Sequence, residues 1–169
     1  MSELKAHIRE IADFPQEGIV FRDITPLLRD HFDATLSALS TLLSQQEWHG
    51  IDAIAGIEAR GFILASALAA RHGKGFVPIR KEGKLPPPVS RISYSLEYGT
   101  ATLEMANGSG RLLIVDDVLA TGGTMTAAAE LATQAGYEVA ALMSLVDLNL
   151  APRFNWRALP LRAVVNYAD

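Results

Sequence analysis

The stretch Leu112-Leu113-Ile114-Val115-Asp116-Asp117-Val118-Leu119-Ala120-Thr121-Gly122-Gly123-Thr124 joins hydrophobic residues to two acids and then to a turn of small residues opening a helix. Each part has a physical job. Ala120, Thr121, Gly122, Gly123 and Thr124 present consecutive backbone N–H groups at a helix N-terminus, where the dipole is positive, and that makes a phosphate site. The hydroxyls of Thr121 and Thr124 add donors. Gly122 and Gly123 let the backbone approach an anion with no Cβ in the way. Asp116 and Asp117 stand at the carboxyl end of a buried strand, where ligands bind in open α/β sheets. Carboxylates there accept hydrogen bonds from the two hydroxyls of a ribose, so the stretch as a whole would hold a ribose 5-phosphate. Competing phosphate motifs fit poorly. A Walker loop needs Lys after its second Gly, where this chain has Thr124. The dinucleotide fingerprint follows a strand, whereas Gly108 and Gly110 precede one. The bland alternative, an acidic turn before a Thr-capped helix, leaves the combination of paired acids and Thr-Gly-Gly-Thr unexplained.

A second feature is electrostatic. Residues 71–91 hold six basic side chains (Arg71, Lys74, Arg80, Lys81, Lys84, Arg91) against one acid, Glu82, in a chain whose formal net charge is -4. A local cationic segment in an acidic protein suggests a small anionic ligand, and the overall charge argues against a general nucleic-acid surface. There are no cysteines, which excludes disulfides, thiolate nucleophiles and cysteine-ligated zinc. His7, His31, His49 and His72 match no metal spacing, so no protein metal ligands are assigned.

The elements that must position these residues follow from periodicity. Leu4, Ile8 and Ile11 predict an amphipathic helix over 2–11, and the Pro- and Gly-rich run 13–26 reads as irregular. Leu36, Leu39, Leu42 and Leu43 predict a second helix over 32–46. Strands at 51–57, 75–79, 111–115, 139–146 and 161–165 then alternate with helices at 61–72 and 124–134. This alternation predicts an α/β fold: a single domain over 1–169 with a twisted, mainly parallel sheet flanked by helices. Residues 81–99, with Pro86-Pro87-Pro88, cannot be helical and read as a long excursion from the sheet, the kind of loop that serves as a lid. With 169 residues, 49% hydrophobic and 20% charged, the chain is ordinary for a globular domain. Its N-terminus lacks the apolar core of a signal peptide and no run approaches a membrane span, so the cytoplasm is the expected location.

At this point the chain resembles a known family. The 112–124 stretch is similar to the phosphoribosyl pyrophosphate (PRPP) signature of type I phosphoribosyltransferases. Four further segments resemble the adenine phosphoribosyltransferases: Phe14-Pro15-Gln16-Glu17-Gly18-Ile19-Val20-Phe21-Arg22-Asp23-Ile24-Thr25-Pro26-Leu27-Leu28, Gly56-Ile57-Glu58-Ala59-Arg60-Gly61-Phe62, Arg80-Lys81-Glu82-Gly83-Lys84-Leu85-Pro86, and Tyr94-Ser95-Leu96-Glu97-Tyr98-Gly99. The signature alone names only the superfamily; the first and last segments narrow it.

The resemblance implies the type I phosphoribosyltransferase fold and transfer of the phosphoribosyl group of PRPP to adenine, giving AMP and pyrophosphate. It implies that Glu58, Ala59 and Arg60 form the pyrophosphate loop, and that Arg80, Lys81 and Lys84 bind PRPP as well, with Arg80 reaching a neighbouring subunit in a homodimer. It places Glu97 as the catalytic group, on a flexible hood spanning about 81–99 that also carries Tyr98. A carboxylate there would stabilise the cation that builds on the sugar ring. The base-binding segment would be 14–28: Phe21 stacks on the purine, the main chain of Val20 and Arg22 reads its edge, and Leu148 closes the other face. Asp23 is expected to order the turn rather than touch substrate. The implied metal is Mg2+, held mainly by the substrate's phosphates. Two departures from the family, a short 105–111 connection and an unmatched end after Leu148, bear on the dimer edges and the pocket wall. The alternatives are a phosphoribosyltransferase for another purine and a PRPP-sensing regulator without catalysis, which would ordinarily bring a DNA-binding domain.

Overall fold

Apolar runs between residues 53 and 166 line up into one eight-stranded sheet. The computed structural model describes residues 3–96 and 99–167. Its strands are β1 (Arg9–Ala12), β2 (Val20–Asp23), β3 (Ala53–Ile57), β4 (Gly75–Lys81), β5 (Val89–Ser95), β6 (Thr100–Ala106), β7 (Arg111–Leu119), β8 (Glu138–Asp147), β9 (Asn155–Trp156) and β10 (Leu159–Asn166). Its helices are α1 (Thr25–Asp30), α2 (Phe32–Ser40), α3 (Gln45–His49), α4 (Arg60–His72) and α5 (Gly123–Gln134). The sheet order is β5-β6-β4-β3-β7-β8-β10-β9, with β1 and β2 paired separately. The five strands from β4 to β10 run parallel, and β5, β6 and β9 are antiparallel additions at the two edges.

Helices cover both faces, as parallel strands require. The side chains of β7 divide the core between them, because successive residues of a strand point to opposite faces. Leu113 and Val115 join Leu64 and Leu68 of α4 and Leu27, Leu36 and Leu39 of α1 and α2. Leu112 and Ile114 join Met125, Ala128 and Leu131 of α5. The central strand is thus fixed from both sides, and truncating a residue such as Leu113 to Ala would cost about 2–5 kcal/mol.

Several boundaries differ from the sequence reading. Residues 2–11 are not one helix: a short 3-10 turn, Glu3–His7, gives way to β1. Pairing with β2, in register Arg9↔Asp23 and Ile11↔Phe21, together with the Arg9–Asp23 ion pair, overrides the helical spacing. The run 13–26 is correspondingly less irregular, since it contains β2 and the start of α1. Pro26 is accommodated in the first turn, where its missing N–H has no intrahelical partner to lose. The helix read over 32–46 stops at Ser40. Ser44 and Glu47 form a capping box that starts α3 afresh, a Ser-x-x-Glu signal present in the sequence. The strand read over 111–115 runs on to Leu119, so the two acids lie within its carboxyl-terminal half. The excursion 81–99 is only partly a loop. Val89–Ser95 forms β5, which folds back on β6 in register from Val89↔Ala106 to Ser95↔Thr100. Glu97 and Tyr98 lie outside the described residues.

Candidate active site

The carboxyl ends of β3 and β7 and the first turns of α4 and α5 meet at one edge of the sheet. Residues 118–125 with Asp116 line a small concavity of about 90 Å³ at the N-terminus of α5. Gly122 takes φ 88, in the left-handed region, and a Cβ there would sit 2.5 Å from Cδ2 of Phe154. Gly122 is therefore required by its own backbone and by an aromatic ring behind it, not only by the room an anion needs. Around Gly123, by contrast, a Cβ would meet nothing closer than Thr121 Oγ1 at 3.9 Å. Thr124 Oγ1 is 3.1 Å from the hydroxyl of Tyr94, so β5 is hydrogen-bonded to the turn.

The acid pair is asymmetric. The first turn of α4 lies against the end of β7 because residue 61 has no side chain: a Cβ on Gly61 would be 3.0 Å from both Asp116 Oδ1 and Val115 O. That contact delivers Arg60, whose Nε is 2.6 Å from Asp117 Oδ2. Asp116 Oδ1 accepts the Asp117 N–H at 2.9 Å. Burial first, and the Asp117 carboxylate second, push the Asp116 pKa well above the ordinary carboxyl range, against the opposing pull of that N–H and of Arg60. A hydroxyl-bearing ligand would therefore meet two unequal carboxyls, Asp116 beside a like charge and Asp117 paired with the Arg60 guanidinium.

A second cavity, of about 630 Å³, opens beside the turn and is lined by Val20, Arg22, Ala120, Leu148, Leu150 and Tyr167 among others. Ala120 borders both cavities. Val20, Arg22 and Leu148 are thus brought together, while Phe21 is not on this wall: its ring meets the edge of Phe14 at 5.2 Å and the Arg60 guanidinium at 5.1 Å. The Arg22 guanidinium lies 4.5 Å over the Tyr167 ring and 3.2 Å from Glu10 Oε2. Asp23 holds the segment in shape, accepting from the Thr25 N–H at 2.9 Å and from the Thr25 hydroxyl. The Thr25 hydroxyl is foremost in keeping its pKa at about 2.

The cationic residues converge on an internal anion. Glu58, at the end of β3, accepts from Arg80 Nη2 at 3.1 Å, Lys84 Nζ at 2.7 Å and the Lys81 N–H at 2.7 Å. Burial pushes the Glu58 pKa up, but these partners outweigh it and hold it at about 2. Glu58 gathers these cations at the end of β3, and the Glu58–Ala59 peptide is cis.

Three residues of this neighbourhood escaped the sequence reading. Glu104, wholly buried on β6, accepts from the Lys84 N–H at 2.7 Å, the Leu85 N–H at 2.6 Å and Arg91 Nε at 3.1 Å, pinning the turn at the start of the excursion. An acid between Leu103 and Met105, on a strand of alternating character, was its only signal. Tyr94 was inside a quoted segment but carried no separate pattern. Phe154 sits in the stretch after Leu148 that resembles nothing, and only contact with Gly122 reveals it.

Residues 32–164 match the family described as phosphoribosyl transferase domain. The chain is 50% identical over 167 residues to an adenine phosphoribosyltransferase of Hydrogenovibrio crunogenus, covering 98% of this chain and 97% of that one. Among solved structures it is similar to the adenine phosphoribosyltransferase of Thermoanaerobacter pseudethanolicus, with TM-score 0.88 and 41% identity over 97% of this chain and 98% of that one. It is likewise similar to the enzyme of Saccharomyces cerevisiae complexed with adenine and an imino-altritol bisphosphate, with TM-score 0.87 and 34% identity over 96% of each chain.

Proposed function

This chain belongs to the phosphoribosyl transferase domain family, and from that premise we propose that it transfers the 5-phosphoribosyl group of PRPP to adenine, releasing pyrophosphate and forming AMP. The observation that carries this reading is the shared wall at Ala120. An anion recess and a mostly apolar cavity large enough for a purine adjoin across one residue, with a carboxylate pair beside them.

In this reading the Ala120–Thr124 turn holds the 5-phosphate and Asp116 and Asp117 accept the ribose hydroxyls. Ala59, Arg60, Arg80, Lys81 and Lys84 surround the pyrophosphate, Glu58 keeping the cations of β4 and the following turn in place. Val20 and Arg22 read the adenine edge by main-chain hydrogen bonds, with Leu148 and Phe21 completing the enclosure. A 6-oxopurine offers the opposite donor and acceptor pattern and would leave buried groups unpaired, which discriminates strongly. Glu97, with Tyr98 beside it on the 81–99 hood, stabilises positive charge on the sugar ring as the pyrophosphate departs. Mg2+ would arrive with PRPP, held mainly by its phosphates and water, and would neutralise the leaving group.

We place the base segment at 14–28 within one domain spanning 1–169, in the cytoplasm. No helix among the described residues is long and apolar enough to cross a membrane. The oligomer in this reading is a homodimer, supported by the apolar face of α4 and β4, where Ile63 and Phe76 are exposed beside Phe62.

The test is an assay of purified protein with PRPP, Mg2+ and each of adenine, hypoxanthine, guanine and xanthine. AMP formed with adenine alone is the expected result. Turnover of another purine in preference, or of none, would replace this reading with one of its alternatives.

A further inference from the structure

The segment after Leu148 forms a strap across the sheet edge nearest the turn. Asn149, Arg153, Arg157 and Ala158 all have positive φ, so the chain changes direction repeatedly there. Two contacts tie it to α5. Trp156 Nε1 donates to Glu130 Oε1 at 2.7 Å, and Arg157 Nη2 donates to Glu130 Oε2 at 2.9 Å. A third tie runs to the sheet, where the Leu161 N–H donates to the Phe154 carbonyl at 3.2 Å. Between these ties Phe154 is driven against the backbone of Gly122, with its Cδ2 and Cε2 filling the space a Cβ would need.

Gly122 is the residue at which the turn becomes the helix. A left-handed glycine is the least restrained kind of residue, and the residues on either side of it line the recess. A ring on one side of it removes conformations in which their amides point elsewhere. We propose that Phe154 is a positioning residue for the phosphate turn: held by the Glu130 ties, it preorganises the Thr121–Thr124 amides for PRPP without touching the substrate. This rests on the reading of that turn as the 5-phosphate site.

The test separates the two. Wild-type protein must first bind PRPP and turn over adenine; if it does neither, the reading of the site fails and the Phe154 comparison is void of its premise, which overturns the proposal too. With an active wild type, Phe154→Ala should raise Kd and KM for PRPP by about tenfold, as losing a preorganised charge-assisted hydrogen-bond set does. Its kcat should stay within about twofold and its KM for adenine should not move, since the transition-state groups are elsewhere. Phe154→Leu, which refills the space, should recover most of the PRPP affinity, and Glu130→Ala, which frees the strap, should copy Phe154→Ala in milder form. An unchanged KM for PRPP in Phe154→Ala overturns the proposal. So does a fall in kcat with a rise in both KM values alongside a lowered melting temperature, because that is what a merely structural residue would give.

Discussion

Asp116 is held in an environment that suits a ligand better than it suits the folded protein alone. Burial and Asp117 raise its pKa above the ordinary value of 3.8. The folded state therefore binds its proton more tightly than the unfolded chain does, and stability falls as pH rises from about 4 through the raised value. Asp116→Asn should accordingly raise the melting temperature by a few degrees at pH 8, with the gain shrinking as pH is lowered towards 4. The same variant should weaken PRPP binding by about tenfold, since a neutral amide is a poorer acceptor for the ribose hydroxyls. Calorimetry at the two pH values checks the first part and titration with PRPP the second; equal melting temperatures at pH 8 would contradict it. Glu97→Gln has a different signature. It should lose at least about a hundredfold in kcat, the usual weight of a positioned carboxylate, while leaving the Kd for PRPP within about threefold. Near-normal turnover would remove Glu97 from its role.

Among the elements, the β5–β6 hairpin and its turn depend on Glu104. Burial alone would raise its pKa, yet the N–H groups of Leu85, Gly83 and Lys84, with Arg91, hold it at about 2. The stabilisation is present above the ordinary value of 4.5 and is lost as pH falls from there towards 2. Glu104→Gln should speed amide hydrogen exchange at Lys84 and Leu85 at pH 7 and lower the melting temperature, with both differences fading near pH 2. Protection at these two amides equal to wild type would show that the turn holds itself. The same element shows where sequence reading succeeds and stops. β3, β7 and β8 were legible because a strand buried on both faces writes itself as an apolar run, β4 and β10 because short apolar stretches sit between turns and helices, and the phosphate turn because its small residues serve one local geometry. β1 was not, because Arg9–Ala12 is a strand only by virtue of pairing with Val20–Asp23. Nor was β5, whose partner lies beyond a further turn. At the site, Asp116, Asp117 and the 120–124 turn could be named from one contiguous motif. Glu104 and Phe154 could not, since their partners are 13 or more residues away and no periodicity links them.

For the molecule as a whole, the formal net charge is -4, and at the sheet edge Arg60 is paired with Asp117 while Arg80 and Lys84 are paired with Glu58. The face bearing Ile63 and Phe76 leads to a further expectation. Light scattering should give a mass twice the 18.2 kDa of one chain, and Phe76→Asp should shift it to the single-chain value; a wild-type mass of 18.2 kDa would remove the dimer. The common border at Ala120 has a consequence for inhibitor chemistry. A heterocycle and a phosphate mimic joined by a spacer no longer than a few bonds could occupy both compartments at once, each half raising the effective concentration of the other. Lengthening that tether should forfeit the gain, and enlarging the alanine to valine should block the tethered compound far more than either fragment alone.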